Sequence, residues 1–390
     1  MRPYAGGLPL LELNPVLTGL TTYPFVRLTD ARRRLEAEGA DVVDFGIGEP
    51  REETPAFIRR ALADAIEPMS SYPLAEGLPE LREAAAAWVG RRFGVALDLA
   101  TEIVPTLGAK EAIFSLAQVV GPGKVAVTVP GYPVAERGAL FAHREVVELP
   151  LLGENAFLPD LDAVPWADLA LLWLNYPNNP TAATAPPAFY ARAAALAQEH
   201  DVVLASDEAY SELWFEGPAP ASALQVPDRA NVLSLHTLSK RSSMPGYRSG
   251  FVAGDARLIA ALKRFRPNAG VAPQTFVQRA AVAAWGDEAH VEAVRGVYRA
   301  KRDALLPALL DAGLRPAGGH ASFFLWLAIP GGWSGSEAFA LALLDEGLVV
   351  APGAFFGPAG EGYVRVALVP TLERCRVAAE RLSRWRAAPR

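Results

Sequence analysis

One lysine near the middle of the chain stands where its amine could act as a nucleophile. Lys240 lies in the segment 237–248, which follows the apolar run 231–235, and such a run predicts a short buried strand. Lysine forms an imine with a carbonyl compound once burial or a nearby charge lowers its pKa, whereas arginine cannot. The segment alone leaves two interpretations open, a nucleophilic lysine and a solvated lysine in a surface loop.

Polar residues also follow several other apolar runs that predict strands. In an open parallel sheet, ligands bind beyond the carboxyl ends of the strands. We therefore expect these polar clusters to converge on one site. The clusters are residues 130–133 after strand 125–129, residues 175–181 after strand 169–174, residues 206–210 after strand 202–205, and the segment 237–248 after strand 232–235.

A turn of small residues at Gly108 and Ala109 leads from an extended run ending at Val104 into a predicted helix. The first N–H groups of a helix and the positive end of its dipole form an anion site. Lys110 in the first turn opposes that dipole, a conflict that a bound anion would remove. A plain strand–helix turn without a ligand is the alternative interpretation.

Together, the side chains at these strand ends match the parts of one cofactor. Pyridoxal phosphate has a phosphate, a protonatable ring nitrogen, a flat ring, a phenolic oxygen and an aldehyde. An aspartate at the ring nitrogen keeps the ring cationic, so that it can accept electrons from a carbanion. The matching groups are Arg248, Thr237 and Ser239 for an anion, Asp207 for a cation, Tyr132 for a ring face, Asn179 and Tyr210 for an oxygen, and Lys240 for the aldehyde.

The sequence resembles the fold-type I pyridoxal-phosphate-dependent aminotransferases of class I/II over nearly the whole chain. Four motifs carry the resemblance in the family's order and spacing, and jointly they are specific, although each alone is weak. They are Asn-Asn-Pro-Thr at 178–181, Ser-Asp-Glu-Ala-Tyr at 206–210, Ser-Lys at 239–240 with Arg248 eight residues on, and Tyr-Val-Arg-Val at 363–366. The resemblance implies transfer of an amino group between an amino acid and a 2-oxo acid.

The resemblance implies a catalytic role for three residues. Lys240 would bind the cofactor as a Schiff base and, once freed by the substrate, move the proton between Cα and C4′. Asp207 would pair with the pyridine nitrogen, and Tyr210 would act with Asn179 on the phenolic oxygen and lower the imine pKa. Tyr132 would stack on the ring, unless it packs in the core or in a lid.

The resemblance also implies how the phosphate and the substrate are held. Arg365 would clamp the substrate α-carboxylate in the bidentate way that arginine favours, unless it is a surface charge on a strand. The backbone of Gly48 and the side chain of Asn179 would help. The phosphate would be bound by Gly108, Ala109, Lys110, Thr237, Ser239 and Arg248, together with Tyr72 from the neighbouring subunit of a homodimer. Packing in the core or in a lid is the alternative for Tyr72.

Two positions depart from the family pattern without threatening this chemistry. Thr237 stands where serine is usual and keeps the hydroxyl. Ala182 replaces the glycine that normally follows Asn-Pro-Thr, which tightens the turn but spares Asn179. The position of Ser239, directly before the lysine, is often required only to be small.

The run 239–255 resembles the N-succinyldiaminopimelate aminotransferases of bacterial lysine synthesis, which implies glutamate and 2-oxoglutarate as the donor pair. Amino transfer on aspartate, alanine, aromatic amino acids or methionine remains an alternative, as does a lyase or synthase on the same fold. A cofactor-bound regulator domain is disfavoured, since the aminotransferase pattern begins too early for a preceding helix-turn-helix. A long dicarboxylic substrate needs a second cation, for which Arg27, Arg51, Arg264 and Arg266 are the candidates.

Composition indicates an ordinary globular protein. The chain has 390 residues, enough for two domains, of which 51% are hydrophobic and 21% charged. A net charge of −6 with scattered basic residues disfavours nucleic acid as a partner. The single cysteine, Cys375, excludes an internal disulfide, cannot alone bind zinc, and is expected to be a structural thiol. Without a recognisable signal peptide or membrane-spanning run, we expect a cytoplasmic protein with no metal and no membrane partner.

The elements that must position these residues alternate between strands and helices through the middle of the chain. This alternation predicts an α/β fold whose large domain has three layers around a mostly parallel sheet, as in aspartate aminotransferase, joined to a smaller α+β domain. We predict an N-terminal arm with part of the small domain at 1–45, a large cofactor-binding domain at 46–285, and the rest of the small domain at 286–390. Further predicted strands are 42–45, 145–149, 249–253, 322–329, 347–350 and 362–369, and predicted helices are 26–37, 55–65, 79–93, 257–284 with a break near 267–273, 289–312, 336–346 and one from 371.

Overall fold

A computed structural model describes residues 12–19 and 24–385, apart from the side chains of residues 24–28 and 31. The strands are β1 (Val43–Asp44), β2 (Ile103–Thr106), β3 (Lys124–Val129), β4 (Val146–Pro150), β5 (Leu169–Asn175), β6 (Val203–Asp207), β7 (Val232–Thr237), β8 (Gly250–Gly254), β9 (Arg315–Pro316), β10 (Phe324–Ala328), β11 (Leu348–Val349), β12 (Ala351–Pro352) and β13 (Tyr363–Ala367). The helices are α1 (Pro15–Gly19), α2 (Pro24–Ala37), α3 (Ala56–Asp64), α4 (Pro79–Phe93), α5 (Ala109–Val119), α6 (Val134–Phe141), α7 (Pro187–Glu199), α8 (Leu238–Arg241), α9 (Ala256–Phe265), α10 (Thr275–Trp285), α11 (Ala289–Asp311), α12 (Ser336–Asp345) and α13 (Leu372–Arg384).

A seven-stranded sheet with the order β2-β8-β7-β6-β5-β3-β4 forms the centre of the molecule. The pairs from β7 through β6, β5 and β3 to β4 are parallel, whereas β8 runs antiparallel to both β7 and β2. Every residue of β5, β6 and β7 is buried, as continuous apolar runs predict for strands covered on both faces. The prediction of a mostly parallel α/β sheet is confirmed.

Helices cover both faces of this sheet, and neighbouring strand residues belong to different apolar clusters. Leu172 packs in one cluster with Ala193 of α7, while Leu171 packs in the other with Leu116 of α5. Successive side chains of a strand point to opposite faces, so one strand serves both clusters. This is the expected three-layer arrangement.

A smaller antiparallel sheet with the order β12-β13-β10-β9 forms near the C-terminus and packs with α11 and α13. β1 pairs in parallel with β11, so residues 43–44 join the C-terminal elements although they are distant in sequence. This pairing agrees with the assignment of 1–45 and 286–390 to one small domain. The domain boundaries themselves stay predictions.

Several element boundaries differ from the sequence-based ones. The predicted strand 347–350 corresponds to β11 alone, β9 and β12 were not predicted, and α1 forms in the Pro-rich arm with no buried residue. Cys375 is fully buried and burial raises the pKa of its thiol to about 11, so it is structural as expected. Within the described ranges, no helix is long and apolar enough to cross a membrane.

Candidate active site

The polar strand ends meet in a cavity of about 790 Å³, within the usual size range of small-ligand sites. The large sheet supplies residues at or just after the ends of β3, β5, β6 and β7. Other lining residues follow β1, lie on α2, α5 and α8, or belong to C-terminal elements that include β10 and β13. Of the residues predicted from sequence, the cavity is lined by Gly48, Ala109, Lys110, Tyr132, Asn179, Asp207, Tyr210, Thr237, Ser239, Lys240, Arg248 and Arg365.

Lys240 lies on α8, a single helical turn that begins directly after β7. Thr237 caps this turn, because its side-chain oxygen accepts a hydrogen bond from the backbone N–H of Ser239. The Lys240 ammonium donates to the carbonyl of Gly48 at 2.8 Å. Burial, and then the positive charge of Arg365, lower the pKa of Lys240 to about 8. The interpretation of Lys240 as a solvated surface lysine is therefore wrong.

Asp207 is the last residue of β6 and is 7% exposed. Burial raises the pKa of its carboxyl to about 6, although a hydrogen bond from the backbone N–H of Ala209 and the nearby charge of Lys240 both favour the ionised form. Because burial disfavours the ionised carboxylate of Asp207, a cationic group of a ligand beside it would compensate for that cost.

Arg365, on β13, is only 3% exposed, so its interpretation as a surface charge is wrong. Its guanidinium donates to the side-chain oxygen of Asn179 and to the carbonyl of Gly46, both at 2.7 Å. Its central carbon lies 4.3 Å from the ring centroid of Phe324 and 4.6 Å from that of Phe356. These contacts hold the planar guanidinium in one orientation, as bidentate binding of a carboxylate requires.

Asn179 is itself positioned by Asn175, a residue that sequence reasoning did not single out. The Asn175 side-chain oxygen accepts from the backbone N–H of Asn179 at 2.9 Å. The Asn175 amide donates to the carbonyl of Asp207 at 2.9 Å. Asn175 also lines the cavity, and its only sequence signal was membership of the polar cluster 175–181.

The anion end of the cavity is built around Arg248, which donates to the carbonyls of Pro245 and Leu107 at 2.9 and 3.0 Å. Gly108 has a φ of +70°, and a β-carbon there would lie 2.9 Å from an Arg248 guanidinium nitrogen. Only glycine allows both this backbone conformation and this close approach. The hydroxyls of Thr237 and Ser239 lie 2.9 Å apart at the same end.

Comparison with known proteins agrees with this geometry, since the model of the family "aminotransferase class I and II" matches residues 40–382. The chain belongs to the class I and II aminotransferases. It is 39% identical to the LL-diaminopimelate aminotransferase 2 of Nostoc sp. over 94% of this chain and 96% of that protein. Among solved structures, an aminotransferase from Neisseria meningitidis Z2491 matches with a TM-score of 0.88 and 35% identity, covering 95% of this chain and 99% of that one. The probable N-succinyldiaminopimelate aminotransferase of Thermus thermophilus matches with a TM-score of 0.84 and 32% identity, covering 92% of this chain and 99% of that one.

Aminotransferases of this family use pyridoxal phosphate, and the residues of this cavity fit that group. The glycine at 108 and the arginine at 248 form a cradle that any side chain at 108 would fill. The buried carboxyl of Asp207 calls for a cationic partner, and the low pKa of Lys240 suits an amine that must bind a carbonyl carbon. Tyr132 lines the same cavity, where it can offer its ring face.

Tyr72, unlike most of the other predicted site residues of this aminotransferase, lies outside the cavity. Tyr72 is fully exposed and does not line the cavity, so it is not a core residue. Ile66, Met69 and Leu74 nearby are also largely exposed. Several exposed apolar side chains in one short stretch are typical of a segment that contacts a partner.

None of the described arginines suggested for a second substrate carboxylate lines the cavity. Arg51 forms an ion pair with Asp44 at 3.6 Å, and the fully buried Arg266 pairs with Glu111 at 3.2 Å. Arg264 is exposed outside the cavity, and the side chain of Arg27 lies outside the described residues. Four other polar residues line the cavity and were missed: Thr29, Asp30, Arg33 and Glu49. For the three on α2, the spacing indicated a polar helix face at most and did not indicate what that face contacts; Glu49 lies in the segment after β1.

Proposed function

We propose that this aminotransferase transfers an amino group between a diaminopimelate substrate and 2-oxoglutarate. The convergence of Lys240, Asp207 and Arg365 on one cavity carries the proposal of amino transfer. Relatives at 38–39% identity, named LL-diaminopimelate aminotransferases, support the unmodified substrate. The N-succinylated substrate is the second candidate, supported by the run 239–255 and by the Thermus thermophilus structure.

In the proposed mechanism, pyridoxal phosphate supplies an electron sink that accepts the electron pair left when a proton leaves the substrate Cα. Lys240 takes up that proton, and the lowering of its pKa to about 8 makes the neutral amine available at mildly basic pH. Asp207 keeps the ring nitrogen protonated through its negative charge. Arg365 orients the substrate by its α-carboxylate, with Asn179 and the backbone of Gly48 beside it.

We also infer how the remaining residues bind the cofactor. Tyr210 and Asn179 would hold the phenolic oxygen of the cofactor by hydrogen bonds, and Tyr132 would pack on its ring. The burial of Tyr210 raises the pKa of its phenol well above the ordinary value, so it remains a hydrogen-bond donor. The phosphate is bound by Gly108, Ala109, Lys110, Thr237, Ser239 and Arg248.

A panel of amino donors tests the substrate proposal. With 2-oxoglutarate as acceptor, we expect the highest kcat/KM for LL-diaminopimelate or its N-succinyl derivative, compared with aspartate, alanine, methionine and phenylalanine. The measurement is glutamate release by a coupled assay. A clear preference for any of the four other amino acids would contradict the proposal.

A lyase or synthase on the same fold is distinguished by a half-reaction. Incubation of the cofactor-loaded enzyme with glutamate alone should cause the loss of the visible absorbance of the lysine-bound cofactor. It should also release one equivalent of 2-oxoglutarate. Release of ammonia from an amino acid, with no 2-oxoglutarate formed from glutamate, would favour elimination instead of transfer.

We propose further that the enzyme is a homodimer in which Tyr72 reaches the phosphate site of the other subunit. The full exposure of Tyr72 and of its apolar neighbours supports this. We expect a dimer mass by light scattering. We also expect Tyr72→Phe to weaken cofactor binding about 10-fold, because one hydrogen bond to a charged group is lost. A fully active monomer would contradict the shared site.

A further inference from the structure

One face of α2 contributes charged residues to the cavity, and none of the roles proposed above uses them. Thr29, Asp30 and Arg33 line the cavity together with Glu49. Residues three and four apart on a helix lie on the same face, so positions 29, 30 and 33 form one patch. Asp30 and Arg33 form a loose ion pair at 3.7 Å, with 60% and 70% of their side chains exposed.

Arg32, which lies between Asp30 and Arg33 in the sequence, helps to fix the orientation of α2. Arg32 donates to the carboxylate of Asp44 at 2.7 Å, and Asp44 belongs to β1 and is 5% exposed. The same Asp44 binds Arg51. Arg32 and Arg51 are therefore paired with Asp44 and act in positioning the backbone elements, whereas Asp30 and Arg33 line the cavity.

We propose that Asp30 and Arg33, together with Glu49, form a distal subsite that binds a free amino-acid end of the substrate. An amino-acid end carries an ammonium and a carboxylate on one carbon. Arg33 matches the carboxylate, while Asp30 and Glu49 match the ammonium. This inference rests on the proposed function and deepens it, because it selects unmodified diaminopimelate over the N-succinylated compound.

The charges of the patch favour unmodified diaminopimelate over the N-succinylated compound. Asp30 and Glu49 bring two carboxylates to the cavity lining and Arg33 brings one guanidinium, so the formal charge of these three side chains is negative. The distal end of unmodified diaminopimelate is neutral overall and brings a cation. Succinylation replaces that cation with an amide and adds a second carboxylate, which the two acidic side chains repel.

The existing ion pair does not prevent this role. An exposed pair at such a distance contributes under about 1 kcal/mol, so the substrate's own charges can replace it at little cost. Glu49 also connects the patch with the reacting centre: burial and Arg365 lower the pKa of Lys240, while the Glu49 carboxylate raises it.

The test compares kcat/KM for LL-diaminopimelate and for N-succinyl-LL-diaminopimelate in the cofactor-loaded enzyme and three variants. Asp30→Asn should lower the value for LL-diaminopimelate about 5- to 10-fold and leave that for the succinylated compound unchanged or higher. Arg33→Gln should lower both values, because both compounds keep the distal carboxylate. Arg34→Gln, an exposed arginine on the same helix that does not line the cavity, is the matched control and should change neither.

Two results would overturn the proposal in distinguishable ways. If the unmutated enzyme turns over LL-diaminopimelate but Asp30→Asn leaves the ratio of the two values unchanged, the subsite is wrong and the proposed function stands. If the unmutated enzyme turns over neither compound, the proposed function fails and the subsite fails with it. Circular dichroism of each variant separates these outcomes from loss of folding.

Discussion

Replacement of Lys240 by alanine is expected to abolish amino transfer, with a loss of at least about 10⁴-fold in kcat. The variant lacks the amine that donates to the Gly48 carbonyl. Lys110 is another lysine that lines the cavity, but it lies at the start of α5 and not at the position of Lys240. It should also lack the visible absorbance of lysine-bound pyridoxal phosphate. The measurements are turnover with a saturating donor and the absorbance spectrum after reconstitution.

A matched control makes this result specific. Lys124→Ala removes a lysine whose surface ion pair with Glu145 lies outside the cavity, and it should leave turnover and absorbance unchanged. If Lys240→Ala kept both the absorbance and the turnover, its assignment as the cofactor-binding base would be refuted.

Asp207→Asn is expected to lower kcat about 10²- to 10³-fold, because a preorganised charge opposite the ring nitrogen is lost. The same change should stabilise the cofactor-free protein. Asparagine is nearly isosteric and can still accept the hydrogen bond from the backbone N–H of Ala209. Activity and stability should therefore change in opposite directions, as is typical of a residue selected for function.

The pH dependence of this stabilisation has a definite sign. Burial raises the pKa of Asp207 from 3.8 unfolded to about 6 folded, so the contribution of its neutral form is fully present below about pH 4 and lost as the pH rises through about 6. Above pH 6 the buried charge destabilises the native state by roughly 2–3 kcal/mol. The melting temperature of cofactor-free Asp207→Asn should exceed that of the unmutated protein by roughly 2–4 °C at pH 8 and equal it near pH 4.

The exposed Asp303 offers a control for this second experiment. It pairs with its neighbour Arg302 at the surface, and Asp303→Asn should change neither turnover nor the melting temperature appreciably. A melting temperature of Asp207→Asn below that of the unmutated protein at pH 8 would contradict the argument from burial.

The central sheet was predictable because its signals are local. Apolar runs such as 169–174 and 202–205 are short, bounded by polar clusters, and alternate with helices. The C-terminal part was less predictable, because β9 and β12 have two residues each and form only against β10 and β13. Such short strands depend on their partners and have no periodicity of their own.

Sequence by itself predicted most of the residues that meet in the cavity. Asp207 ends the buried strand β6 and Lys240 lies in the turn of helix after the buried strand β7, and a parallel sheet brings the carboxyl ends of its strands to one edge. What only the tertiary structure decided are contacts between segments far apart in the chain: the Lys240 ammonium on Gly48, 192 positions away, and the Arg365 guanidinium on Gly46, 319 positions away. The same holds for the charged face of α2, since helical spacing places Asp30 and Arg33 side by side but packing alone turns them toward the cavity.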